Sequence, residues 1–222
     1  MKIVHPDLEN EIIINNKNVA EWIIESPELF SQYLLELLSQ INGADGKFVL
    51  SNKGKEISLA KCATIIFNPL DISINDKKVV AKIYTELQQV SVNEEYYIKT
   101  KEIITQLQQY LLDLEFNCDL NLHINEDIDI QGLFKLFGIK IDEDTLDFTE
   151  RLLQYIKIQN VLMGKKLIIF VNIRSYFSTK QLDELLLFAK YNEIYLLLIE
   201  SLQRDFTNMT YKYIIDGDSC EI

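Results

Sequence analysis

Apolar positions along the chain fall into two patterns, short continuous runs and longer stretches with helical spacing. Glu11-Ile12-Ile13-Ile14-Asn15 and Phe48-Val49-Leu50 are runs closed by the turn candidates Asn15-Asn16 and Asn52-Lys53-Gly54, which predicts two short strands. Thr64-Ile65-Ile66-Phe67 is the uninterrupted run that a strand buried on both faces requires. Between them, Ser26-Pro27-Glu28 combines an N-cap residue, proline at the first helical position and an acidic first turn. The helix it opens repeats through Leu29, Tyr33, Leu37 and Ile41, and Asn42-Gly43 stops it.

From residue 75 to about 141 the spacing is helical throughout. Residues 76–90 place Val79, Val80, Ile83, Tyr84 and Leu87 on one face, and residues 93–116 do the same with Tyr96, Tyr97, Ile103, Leu107, Tyr110, Leu111 and Leu114. A helix of that second length spans about 35 Å at 1.5 Å per residue, which predicts a projecting helical arm. A third helix, residues 128–137, ends at Gly138, a residue suited to the left-handed position after a helix.

The remaining residues alternate again. Helices are predicted over 145–163 and 179–191, with Ser178 or Thr179 as cap, and strands over 166–172, 194–199 and 211–215. Apolar strands separated by helices predict an α/β fold in which helices cover a parallel or mixed sheet. The chain order then divides into an α/β head, residues 1–74 and 142–222, interrupted by an all-helical domain, residues 75–141.

Composition narrows the class. The 222 residues include seven Gly, three Pro, 11 Tyr and 11 Phe, the opposite of a disordered or collagen-like chain. No apolar run approaches the ~20 residues of a membrane helix, and the start Met1-Lys2-Ile3-Val4-His5 lacks a secretory pattern, so cytoplasm is the expected compartment. Cys62, Cys118 and Cys220 are widely spaced and only His5 and His123 accompany them, which argues against a zinc or disulfide framework. A formal charge of −12 argues against nucleic acid unless the cations cluster locally.

Motifs for catalysis are missing. Neither G-x-x-x-x-G-K-[ST] nor G-x-G-x-x-G occurs, so the α/β head is expected to lack a nucleotide loop. Two histidines give little material for a nucleophilic triad, and Cys62 reads as a small core residue. Carboxylates are richer: Asp119, Glu126, Asp127 and Asp129 crowd one loop and offer the oxygen ligands that a hard cation such as Ca²⁺ or Mg²⁺ prefers. Without an EF-hand frame, the cluster standing alone reads first as a solvated acidic face. Asp142-Glu143-Asp144 precedes a helix, where a helix dipole favours negative charge. Among the bases, Lys53 and Lys55 flank a turn, Lys77, Lys78 and Lys82 begin the insertion, and Lys99 and Lys101 lie on its long helix. In a monomer these are ordinary solvated positions; in a closed oligomer a few per subunit can line one continuous surface.

The order of several blocks resembles a known family. Lys82-Ile83-Tyr84-Thr85-Glu86-Leu87, Gly138-Ile139-Lys140-Ile141, Asp147-Phe148-Thr149-Glu150-Arg151-Leu152, Lys166-Leu167-Ile168-Ile169-Phe170-Val171-Asn172, Ile194-Tyr195-Leu196-Leu197-Leu198-Ile199 and Tyr213-Ile214-Ile215-Asp216 are similar to the ring-forming adaptation (spacer-acquisition) proteins of type II-A CRISPR–Cas systems. The resemblance implies a non-enzymatic homotetramer. Its subunits would have a nucleoside-triphosphatase-like head without the nucleotide loop and a helical leg, and the ring would thread the ends of double-stranded DNA. It also implies action with the CRISPR integrase proteins and the effector nuclease, and calcium bound around the legs. On that basis Lys53, Lys55, Lys77, Lys78, Lys82, Lys99 and Lys101 are the expected DNA contacts, and Asp119, Glu126, Asp127 and Asp129 the expected calcium ligands. Two departures stand out: the family's acidic D-x-x-G-Y-D-V-N is Asn68-Pro69-Leu70-Asp71-Ile72-Ser73-Ile74-Asn75 here, and a glutamate common in the third leg helix is Gly132. The rival readings are a metal-dependent nuclease built on Glu126, Asp127 and Asp129, and a protein-interaction scaffold that binds no DNA.

Overall fold

A computed structural model of the chain describes residues 1–14, 19–118, 122–123, 125, 128–204 and 211–222. It divides into two compact units, Met1–Ile74 with Glu143–Ile222, and Asn75–Asp142. The first begins with strands β1 (Lys2–Val4), β2 (Ile12–Ile13) and β3 (Val19–Ile24), helix α1 (Pro27–Ile41), strands β4 (Val49–Asn52) and β5 (Lys55–Ile57), a short helix α2 (Leu59–Cys62) and strand β6 (Ala63–Ile66). The second holds helices α3 (Lys77–Ser91), α4 (Tyr97–Phe116) and α5 (Ile130–Leu136). The chain then completes the first unit with helix α6 (Phe148–Val161), strand β7 (Leu167–Val171), helix α7 (Thr179–Tyr191) and strands β8 (Tyr195–Glu200) and β9 (Tyr211–Ile215).

The fold is α/β, with a five-stranded sheet in the order β6-β7-β8-β3-β9 whose pairings are all parallel. The short N-terminal strands pair among themselves instead, as an antiparallel sheet in the order β2-β1-β4-β5. The sequence pattern predicts no strand at β3, yet β3 joins β8 to β9. Both faces of the parallel sheet are covered, which explains why its strands read as continuous apolar runs. On one face Ala20, Trp22, Ile24, Leu197 and Ile199 pack with Tyr33 and Leu37 of α1 and with Ile3, Phe48 and Leu50 of the small sheet. On the other, Val19, Ile168, Phe170, Leu196 and Leu198 meet Leu152 and Ile156 of α6 and Leu182, Leu185 and Leu186 of α7. His5 lies inside the first layer, its ring 5.2 Å from Tyr33 and 4.5 Å from Phe48, with Nε2 3.2 Å from Glu36. Cys62 packs partly buried against the same layer, in line with its reading as a small core residue.

Local signals set the helix starts. The Ser26 hydroxyl accepts the Leu29 N–H at the head of α1, and Pro27 follows as predicted. At α6, Asp147 Oδ1 accepts the Glu150 N–H at 2.8 Å while Glu150 Oε2 accepts the Asp147 N–H at 3.0 Å, a complete capping box. Replacing Asp147 by alanine should therefore cost about 1 kcal/mol. In differential scanning calorimetry that should lower the melting temperature by about 2–4 °C, and an unchanged melting curve would mean that the cap contributes nothing.

The sheet also contains charge. Glu21 of β3 is 1% exposed and Glu200, at the end of β8, is 1% exposed. Arg174, in the 3-10 turn Ile173–Ser175 after β7, donates from Nη1 to Glu21 Oε1 at 2.7 Å, and its backbone N–H donates to Glu200 Oε1 at 3.2 Å. Lys212 of β9 stands 4.0 Å from Glu21 Oε2 and donates to the Arg204 carbonyl at 3.0 Å. Arg204 in turn donates to the Arg174 carbonyl at 3.0 Å and to the Ser175 hydroxyl at 2.8 Å. Asn172, left-handed at φ 53°, accepts from both the backbone N–H and the hydroxyl of Ser201.

In the second unit α3 and α5 pack together: the Tyr84 and Phe134 rings lie 6.0 Å apart and Gln131 Nε2 donates to Gln88 Oε1 at 2.6 Å. The two ends of the unit are clasped by one side chain, since Asn75 Nδ2 donates to the Ile141 carbonyl at 2.9 Å and Asn75 Oδ1 accepts the Ile141 N–H at 2.8 Å. Helix α5 stops at Leu136, and Gly138 adopts the expected left-handed backbone at φ 60°. One expectation for the long helix is corrected. It begins at Tyr97, not at residue 93, because Asn93 Oδ1 accepts the N–H groups of Glu95 and Tyr96 and holds a turn there. Its 20 residues therefore span about 30 Å. Most of its apolar side chains stay exposed, and α4 contains no fully buried residue.

Candidate nucleic-acid interface

Lys53 and Gly54 form the tip of the β4–β5 hairpin, both with positive φ, at 50° and 76°. That geometry is the tight two-residue hairpin turn, and it presents Lys53 and Lys55 to solvent. The hairpin borders a groove of about 570 Å³ lined by Lys2, Glu11, Ser51, Asn52, Lys53 and Tyr195 among others. Two other bases of this unit are paired, Lys2 with Glu11 at 2.6 Å and Lys47 with Asp7 at 3.2 Å. Lys53 and Lys55 join no ion pair among the described residues.

In the second unit Lys77, Lys78 and Lys82 are exposed in the first turns of α3, where Asp76 caps the helix by accepting the N–H groups of Lys78 and Val79. At 100° per residue, Lys78 and Lys82 lie about 40° apart on one face, whereas Lys77 lies about 100° or more from either. On α4 the same arithmetic separates Lys99 from Lys101 by about 160°, so the two exposed ammonium groups point to opposite sides. A straight phosphate track along α4 can meet one of them but not both. Lys101 also lies over the Tyr97 ring, 5.0 Å from its centre. A hydrogen bond to the Tyr97 side chain, then the charge of that phenol, holds its pKa above the usual lysine value, so it stays cationic. The i, i+4 spacing of Tyr97 and Lys101 is the signal in the sequence that points to this pairing.

The expected metal positions are only partly visible. Asp119, Glu126 and Asp127 lie outside the described residues. Asp129 is described, and it is the N-cap of α5, with Oδ1 accepting the Gln131 N–H at 3.0 Å. Gly132 sits beside it in the first turn, where an added Cβ would meet Asp129 Oδ2 at 3.6 Å, an ordinary contact. Among the described residues no three His, Cys, Asp or Glu side chains gather closely enough to hold a metal ion, and no helix is long and apolar enough to cross a membrane. Among those residues too, the β3–α1 connection is Glu25-Ser26, too short and free of glycine to cradle a phosphate.

Comparison with known proteins identifies the family. Residues 40–219 match the family model described as CRISPR-associated protein (Cas_Csn2). The CRISPR-associated protein Csn2 of Enterococcus faecalis is 28% identical over 163 residues, 73% of this chain and 65% of that protein, so the chain spans just under two thirds of that relative. The CRISPR-associated protein Csn2 of Streptococcus agalactiae is 23% identical over 98% of this chain and 96% of its own length. With about four fifths of its residues inside the family match, the chain belongs to the Csn2 family of CRISPR-associated proteins.

Proposed function

We propose that this chain is a non-catalytic, sequence-independent binder of double-stranded DNA that closes into a homotetrameric ring around DNA ends. In this reading it supports spacer acquisition in type II-A CRISPR–Cas immunity, together with the integrase proteins and the effector nuclease. The first unit is then a nucleoside-triphosphatase-like head that lacks the glycine-rich nucleotide loop, and the second is its helical leg.

The observation that carries this reading is α4. It exposes Ile98, Ile103, Leu107, Leu111, Leu114 and Phe116 and buries none of its residues within the chain. A helix with that much apolar surface is stabilised by packing against a further helix, and a second copy of the chain supplies one. Assembly also addresses the charge. A tetramer carries a formal −48, so DNA attraction has to be local, and the lysines of the β4–β5 hairpin and of α3, which join no ion pair among the described residues, supply it in this reading. Lysines used in that way meet phosphate and carry no sequence information. Calcium is part of the proposal as a ligand of Asp119, Glu126, Asp127 and Asp129; four carboxylates suit a hard cation, and Asp129 would contribute its Oδ2, since Oδ1 already caps α5.

The test is retention of linear against covalently closed circular duplex in a filter assay with Ca²⁺ present. Linear duplex should be retained and the closed circle released, because a ring reaches DNA only through an end. Alanine at Lys53, Lys55, Lys78 and Lys82 should reduce the slope of log affinity against log salt by about 0.9 for each phosphate that is no longer neutralised. Equal retention of both topologies, or an unchanged slope, contradicts the reading, and cleavage of the labelled duplex with Mg²⁺ or Mn²⁺ would make the protein a nuclease.

A further inference from the structure

The buried charges within β3 and at the end of β8 have no part in the DNA reading, and a chain that only needed a stable sheet would have apolar residues there. Glu200 is enclosed, faces a second buried carboxylate, and takes its one described hydrogen bond from the backbone of a turn. Among the described residues, the charged groups that face it are Glu21 from β3, Arg174 from the Ile173–Ser175 turn and Arg204 from the segment after β8. Lys212 of β9 faces Glu21 and holds the Arg204 carbonyl. The same interactions fasten two pieces of irregular backbone, the turn after β7 and residues 201–204, over the strand ends.

We propose that Glu200, Glu21 and Arg174 form a proton-controlled latch: a proton on Glu200 keeps the Ile173–Ser175 turn and residues 201–204 closed over the sheet, and its loss drives them open. Burial is the main cause that pushes the Glu200 pKa up to about 7; the Arg174 N–H opposes it, the Glu21 charge adds to it, and the Arg174 and Arg204 charges oppose it. The sign follows. The closed state holds the proton more tightly than a hydrated glutamate near 4.5, so closure is strongest at low pH and weakens as pH rises toward 7. Above about 7 both states are ionised and the effect levels off. Across pH 6 to 8 the opening constant should rise about tenfold.

Two measurements on the full chain decide it. The Glu200 side-chain carboxyl carbon, followed by ¹³C NMR on the unaltered protein, should titrate near 7. The Arg174 amide, which donates to that carboxylate, should lose protection from hydrogen exchange about tenfold between pH 6 and 8 after correction for the intrinsic rate, and Glu200→Gln should abolish that dependence while keeping an acceptor for the amide. Titration of Glu200 in the ordinary carboxylate range overturns the latch. So does Arg174 protection that is flat with pH in the unaltered chain, or that keeps its pH dependence in Glu200→Gln. The carbon titration needs no variant, so a Glu200→Gln chain that fails to fold does not spare the proposal.

Discussion

Replacing Arg174 by alanine should destabilise the first unit by about 3–5 kcal/mol, seen as a lower urea midpoint at neutral pH. The Glu21 and Arg174 side chains are 1% and 11% exposed and meet at 2.7 Å. Removing the guanidinium strands Glu21 in the sheet, with Lys212 at 4.0 Å as the cation left beside it among the described residues. The cost arises because a carboxylate already stripped of water loses the partner that compensated it. A paired variant, Glu21→Leu with Arg174→Met, should recover most of the loss, since an apolar pair of similar volume needs no compensation. A single variant costing less than about 1 kcal/mol, the value of a solvent-exposed pair, would mean that the ion pair is not buried in solution.

An effect of comparable size is expected for assembly. Ile103, Leu107, Leu111 and Leu114 recur at i, i+4, i+8 and i+11 along α4, a single stripe, and all four are exposed. Aspartate at both Leu107 and Leu111 should weaken self-association by 100-fold or more, about 3 kcal/mol, because each carboxylate would have to be buried unpaired. The mass from light scattering should fall from that of the proposed tetramer to a smaller species at micromolar protein. Far-UV circular dichroism should stay unchanged, as neither leucine is buried within the chain. A double variant that assembles like the parent would remove α4 from the interface and with it the support for the ring.

The sequence is most informative where burial on both faces forces a continuous apolar run. Strand β9 and helices α1 and α7 fall at the residues their patterns predict, and β6, β7 and β8 within a residue of theirs. Strand β3 escapes a pattern reading for a physical reason: Glu21 interrupts its run, and the group that makes a buried glutamate tolerable, Arg174, lies 153 residues away. Local pattern carries no trace of such a partner. Strand β5 is hidden because Lys55 and Glu56 give it the look of a loop, although it is the charged outer edge of the small sheet, where water replaces a neighbouring strand. For α4 the periodicity is legible but its meaning is not, since an apolar stripe shows that something covers a helix and not what does. The lysines of the candidate interface can be named from the sequence, whereas the opposite facing of Lys99 and Lys101 follows from helix geometry once the bounds of α4 are known.

The Asn75 clasp has an evolutionary consequence. One carboxamide reproduces, with the Ile141 backbone, the two-way pairing of neighbouring peptide groups, so the excursion of 65 residues between them leaves and rejoins the chain at a single hydrogen-bonded doorway. Insertions or deletions beyond that doorway change the entropy of one loop, which grows only slowly with length, and leave every strand pairing in register. The helical unit is thereby free to lengthen, shorten or change its outer surface, including whatever it grips, at a pace of its own.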